Sequence, residues 1–201
     1  MSVALNKTSL KQQRDQAKTF KQFLPSLDLK RQQLLAALKA ARKELDRVEN
    51  EISALHVGLD PLYPLLGSTT IPTVKVSRLV HVKSVQIESE NVVGTRLPVV
   101  REIEFQIEPY STLATPFWVD HLIDSLQRLA RLRVEHEVGK KRVEMLALAA
   151  RRITQRVNLF EKVLIPQAEQ NIRRIVIFLS DQERAAVVRS KISKSKHSAD
   201  A

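Results

Sequence analysis

A heptad register running from Val3 to Leu59 constrains this chain more than any other feature. One seam position falls on Val3, Leu10, Ala17, Leu24, Arg31, Leu38, Leu45, Ile52 and Leu59. The other falls on Asn6, Gln13, Phe20, Leu27, Leu34, Ala41, Val48 and Leu55. From Leu34 to Leu59 every seam position is apolar and the residues between are mostly charged, the pattern that winds one helix around another. Between Val3 and Arg31 the register is looser, because Asn6, Gln13 and Arg31 intrude. Ser2 or Asn6 can cap the start. Pro25 removes one backbone hydrogen bond and predicts a kink. At about 1.5 Å per residue the helix would be roughly 85 Å long.

A helix with one apolar stripe needs a second. After Pro116, a residue suited to a first helical turn, Leu122, Leu126 and Leu129 open another stripe. Ile153, Val157, Phe160, Leu164, Ala168, Ile172, Ile175 and Leu179 continue it. The stripe is weak and charged from Arg131 to Lys141, with Gly139 inside it, and Pro166 predicts a bend near Lys162.

Six of the eight prolines fall between Pro61 and Pro116 and set off a middle region. There Val74, Val76, Val80, Val82, Val85 and Ile87 read as strand, as do Val99, Ile103, Phe105 and Ile107. Asn91, Gly94 and Pro98 mark the connection between them. An isolated hairpin is marginal, so this one must pack on the helices or on a partner.

The expected fold is therefore mainly α: a long antiparallel two-helix coiled coil with a small central β-hairpin insert. Residues 1–60 form the N-terminal helix, 61–115 the β-rich insert, 116–190 the C-terminal helix, and 191–201 a disordered basic tail that frays. The second helix is the longer, so its C-terminal end should pass beyond the start of the first. With only four glycines among 201 residues, the tight turns of Rossmann, hydrolase and barrel enzymes are out of reach.

Composition narrows function further. There is no cysteine, which excludes disulfides, thiol catalysis and zinc fingers. No apolar run approaches the ~20 residues that span a bilayer, and the N-terminal residues lack the apolar core of a signal peptide. A cytoplasmic protein is expected. No Gly-rich phosphate loop or nucleophile elbow is present. His56, His81, His121, His136 and His197 are scattered, and His136 with Lys140, Glu135 and Glu137 reads as a solvated face rather than a metal site.

The distinctive feature is charge: 33 Lys+Arg against 22 Asp+Glu, a formal net charge of +11. Lys7, Lys11, Arg14, Lys18 and Lys21 follow three-and-four spacing and share one helical face. Arg184, Arg189, Lys191, Lys194 and Lys196 gather near the other end. An antiparallel hairpin brings both runs to one tip, where they would meet an acidic partner or remain a solvated face. Arg31 at a seam position either snorkels outward or faces a partner. Trp118, Phe117 and Tyr110 cluster where the insert meets the second helix, as an anchor for the hairpin or a docking surface.

Three motifs complete the sequence: L-P-S-L-D-L-K-R-Q-Q-L from Leu24 to Leu34, N-V-V-G-T-R-L-P from Asn91 to Pro98, and T-x-R-V-N-x-x-E-x-x-x-I-P-x-x-E-x-N-I from Thr154 to Ile172 followed by Glu183-Arg184. In this order, over nearly the whole chain, they resemble the D-subunit family of V-type (archaeal/vacuolar-type) ATPases and ATP synthases, in its bacterial form. The resemblance implies a non-catalytic central-stalk rotor component without a cofactor, peripheral to the plasma membrane on the cytoplasmic side. It implies, as partners, the hexamer of A and B subunits, the small F subunit and a ring-docking stalk component, with no nucleic acid and no insertion into the membrane. On that reading Lys7, Lys11, Arg14 and Lys18, with Arg184, Arg189 and Lys191, face the hexamer, and Val92, Val93 and Gly94 meet the F subunit. Two other classes fit the residues less well: a prefoldin-like coiled-coil chaperone, whose helix tips would be apolar rather than basic, and a basic coiled-coil nucleic-acid-binding protein, for which interleaved aromatics are missing.

Overall fold

The structure, a computed structural model, describes residues 3–62, 64, 79–110, 116 and 118–199. Ser2, Val74, Val76 and Phe117, all given roles above, lie outside the described residues. The fold is mainly α with one small antiparallel sheet. Helix α1 spans Lys7–Leu59 and ends in a single 3₁₀ turn, Asp60–Leu62. Strands β1 (Val80–Val92) and β2 (Thr95–Ile107) form the sheet. Helix α2 spans Trp118–Leu159, a π-helical segment follows at Phe160–Leu164, and α3 runs from Ile165 to Ala199. The chain divides into two compact units, Met1–Arg31 with Arg152–Ala201, and Gln32–Arg151.

Asn6 starts α1. Its side-chain Oδ1 accepts a hydrogen bond from the Ser9 backbone N–H at 2.7 Å, and its carbonyl accepts one from Leu10 at 3.1 Å. The side-chain bond satisfies one of the orphan donors that every helix start exposes. α1 continues through Pro25 without a break. The tail expected to fray is helical through Ala199. Residues 191–199 contain neither proline nor glycine, so nothing in the chain stops the helix there.

In the first unit, α1 and the 152–199 segment run antiparallel: Gln13 meets Asn171 at 3.2 Å, and Phe20 meets Phe160 edge to face with ring centroids 5.4 Å apart. Ala17, Ile153, Val157, Ala168 and Ile175 form the buried seam, and Ile175 is fully enclosed. The spacing along that seam is uneven. A strict alternation of three and four from Val157 and Phe160 runs to 164, 167, 171 and 174. The buried positions are instead Ala168 and Ile175, one residue late. The π-helical segment absorbs the extra residue: the Ile165 N–H reaches back five residues to the Phe160 carbonyl. The irregularity falls near Lys162, where Pro166 predicts a bend.

In the second unit, α1 and α2 are again antiparallel. Leu34, Leu38, Val48, Leu132, Val138, Leu146 and Ala150 are buried. Gly139 is placed so that a Cβ there would lie 3.2 Å from Leu45 Cδ1, so the glycine gives Leu45 its room. Leu59, Leu79, Trp118, Val119, Leu122 and Ile123 make a second cluster, with Val80, Tyr110 and Leu126 packed on it. Trp118 is thus an anchor at the base of the hairpin.

The hairpin departs from expectation in its connection. The turn is only Val93-Gly94, both at positive φ (52° and 80°), the arrangement that matches the twist of the flanking strands. Pro98, expected in a long turn, is inside β2 opposite Ser89. A two-stranded sheet consists of two edges, where a residue without an N–H is tolerated. Register shifts leave Lys83 on β1 and Arg101 on β2 as extra residues. Both are charged and form ion pairs, Lys83 with Glu104 at 3.5 Å and Arg101 with Glu88.

Candidate partner-binding surfaces

The cationic residues picked from the sequence all lie in the first unit. Lys7, Lys11, Arg14 and Lys18 are exposed along α1, and Arg184, Arg189 and Lys191 are exposed along α3. The structure orders the two groups along the unit. Val3 and Leu5 share a groove of about 500 Å³ with Asn171, Arg174, Ile175, Ile177, Phe178 and Asp181. Residues 3–5, just before α1, therefore reach the level of Asp181, and Arg184, Arg189 and Lys191 lie beyond it. Every residue from Asp181 to Lys194 is exposed. Lys21, the last member of the α1 stripe, is already engaged: its Nζ donates to Glu169 Oε1 at 2.7 Å, and that contact holds the Glu169 carboxyl below its ordinary pKa. Arg31, the odd seam residue, pairs within its own helix with Asp28 at 2.5 Å.

The residues assigned to the hairpin turn lie in the second unit. Val92 is half-buried. With Leu97, Val99 and Val100 it lines a groove of about 560 Å³ whose helical wall includes Ala37, Ala40, Ala41 and Gly139. Leu97 is 1% exposed, so the tip half of the hairpin is seated on small residues of the helices. Arg142 on α2 donates to Glu90 at 3.2 Å and ties the seat from the side. Val93 is half-buried and Gly94 exposed. At the other end of the hairpin, Tyr110 donates its hydroxyl hydrogen to Asp120 Oδ1 at 2.6 Å. That bond, first among the causes, raises the phenol's pKa.

One pairing was not legible in the sequence. His136, read as part of a solvated face, has a side chain only 17% exposed and donates from Nε2 to Glu49 Oε1 across the helix pair at 2.9 Å. Glu49 follows the seam residue Val48, and that adjacency was the available signal. Among the described residues no group of three or more His, Asp or Glu could hold a metal ion, and no helix is long and apolar enough to cross a membrane.

Paired antiparallel helices with one small two-stranded sheet define a mainly α, helical-hairpin class of protein. Comparison with known proteins identifies the group within that class. The family model described as the ATP synthase D subunit matches residues 9–195, and the chain belongs to that family. Among curated relatives, the V-type ATP synthase D subunit of Borreliella burgdorferi is 38% identical over 199 residues, covering 96% of this chain and 94% of the relative. The protein of the same name from Chlamydia pneumoniae is 30% identical, covering 98% and 93%.

Proposed function

We propose that this chain is the central-stalk rotor component of a V-type ATP synthase or ATPase. It carries torque between a catalytic hexamer of A and B subunits and the ion-translocating ring, in ATP synthesis or in ATP-driven proton or sodium transport. It hydrolyses nothing itself and sits on the cytoplasmic side, peripheral to the plasma membrane. Family membership supports the complex. The observation that carries the rotor role is the bare end of α3, exposed from Asp181 to Lys194 beyond the level where α1 begins. A helix end left uncovered by the described residues of its own chain is free to enter a sleeve.

On this reading Lys7, Lys11, Arg14, Lys18, Arg184, Arg189 and Lys191 face the inner wall of the hexamer. Charge attraction tolerates the changing alignment of a turning shaft better than close apolar packing does. The hairpin meets the F subunit through Val93 and Gly94, with Val92 holding the turn from beneath, and a ring-docking stalk component binds elsewhere. Exposed charge pairs contribute about 0–1 kcal/mol each, so single Lys→Ala changes should be nearly silent. Changing Lys7, Lys11, Arg184 and Arg189 together to Glu should slow assembly with the A and B hexamer and lower its coupled ATPase activity, while the free chain melts as before. The difference should shrink at high salt, where charges are screened within about 8–10 Å or less. Assembly of the four-fold variant at the wild-type rate in low salt would overturn the assignment.

A further inference from the structure

The geometry points to a built-in joint in the first unit, at the level of Phe20 and Phe160, where both helices give up regular backbone bonding together. This inference stands on the geometry of the chain and not on the rotor reading.

On one side is the π-helical segment, Phe160–Leu164, and directly after it Pro166, which has no N–H to return to the preceding turn. On the other is Pro25, which leaves the Lys21 carbonyl without its helical donor. Phe20 meets Phe160 edge to face and the Lys21 side chain reaches Glu169, so in this antiparallel pair the widened turn from Phe160 to Leu164 adjoins the stretch of α1 that leads into Pro25. Burial does not compensate there. No residue of the π segment is buried, whereas Val157 before it and Ala168 after it are. Phe23, Leu159 and Val163, all at this level, are 56%, 46% and 48% exposed. The aromatic pair is the cross-brace, and an edge-to-face pair holds over a range of centroid distances and angles.

A helix bends and twists where its ladder is interrupted. Two helices interrupted at different levels would splint each other, because each regular stretch would lie against the other's gap. Here the gaps adjoin each other at the Phe20–Phe160 contact, so bending and twisting collect at this level while the turns on either side stay stiff. The cause is the extra residue between Val157 and Ile175, with the prolines secondary.

Amide hydrogen exchange on the full chain tests this. Amides of residues 160–165 and 22–24 should exchange about tenfold or more faster than those of residues 152–157 and 10–17, the ratio expected when one ordinary net hydrogen bond is missing. Deleting exposed Gln167 moves Ala168, Ile172 and Ile175 into strict three-and-four register. That variant should bring residues 160–165 to the protection of their flanks. Pro166→Ala alone should leave them fast, because the extra residue remains. Uniform exchange along the wild-type helices, or full protection restored by Pro166→Ala alone, would overturn the joint. If the deletion variant loses its helical circular dichroism, spin labels decide. The distance distribution between Lys18 and Lys30, across the joint, should be about twice as broad as that between Lys7 and Thr19, because kinks localise flexing. Equal widths would overturn the proposal.

Discussion

The two units use the same paired helices to different ends. In the unit made of residues 32–151, one side of the pair is roofed by the hairpin, and Ala37, Ala40, Ala41 and Gly139 keep the helices low enough for Leu97 to reach them. In the unit made of residues 1–31 and 152–201 no described residue forms a roof, the seam carries an extra residue, and the turns of α3 from Asp181 to Lys194 are exposed throughout. A second layer supplies burial that two helices alone cannot, since each helix of a bare pair buries only a narrow stripe. The roofed unit is built to be stiff, and the bare one gives up burial for accessible surface.

The sharpest way to break that contrast is to cut the layers apart. Leu146→Ala removes a fully enclosed side chain beneath the roof and should cost about 3–5 kcal/mol in denaturant unfolding, while Val187→Ala on bare α3 should change little. Leu97→Ala should cost about 2–4 kcal/mol and speed amide exchange across Val80–Ile107 without touching α3. If Leu97→Ala proves as silent as Val187→Ala, the hairpin is not a structural layer. Leu45 and Ile52, although in the strongest stretch of the heptad pattern, are half-buried, so their truncation should cost less than that of Leu146.

A smaller effect separates two helical glycines of the roofed unit. A Cβ at Gly58 would meet nothing within 4 Å, so Gly58→Ala should stabilise by about 0.5–1 kcal/mol through helix propensity. At Gly139 the added methyl would press on Leu45, so Gly139→Ala should show none of that gain. Thermal melting of the two variants side by side checks this, and equal gains would mean that the helices do not need the close approach.

The smallest effect is electrostatic. Lys21 lowers the pKa of Glu169 in the bare unit, and Arg47 lowers that of Glu44 in the roofed one, in each case chiefly through a direct hydrogen bond. A carboxyl with a depressed folded-state pKa adds stability above its unfolded value, here about 4.5, and loses it as pH falls through the lower folded value. Wild-type stability should therefore decline below about pH 4.5, and Glu169→Gln should flatten part of that decline. An unchanged acid limb in Glu169→Gln would remove the Lys21 contact from the account.

The helices, their antiparallel pairing and the hairpin were legible because apolar periodicity reports which face is buried. The seam from Leu34 to Leu59 and the alternation around Val80 and Phe105 carried that signal plainly. Pairing across the chain was not legible. That Glu49 would find His136, or that Val92 would turn toward Ala37, depends on which residues lie opposite, and a single-helix pattern is silent about that. Pro98 misled because proline is punctuation in most contexts and tolerable at the edge of a ribbon. The extra residue, by contrast, was written in the sequence. Phe160, Leu164, Ala168 and Ile172 stand four apart in succession, which a heptad does not allow, and reading spacings rather than counting apolar positions would have found it.

The end of α3 also bears on how copies of this chain treat one another. Continuing the seam beyond Ile175 and Leu179 by threes and fours lands on Gln182, Ala186, Arg189 and Ser193, none a large apolar residue. Val187, Val188 and Ile192 are exposed there, but Arg184, Arg189, Lys191 and Lys194 stand around them against the single acid Glu183 within one turn. Two such helices brought together would repel before their valines met, and nothing along the old seam would zip them. Self-association of this helix end is discouraged by its charge and by the lack of an apolar seam.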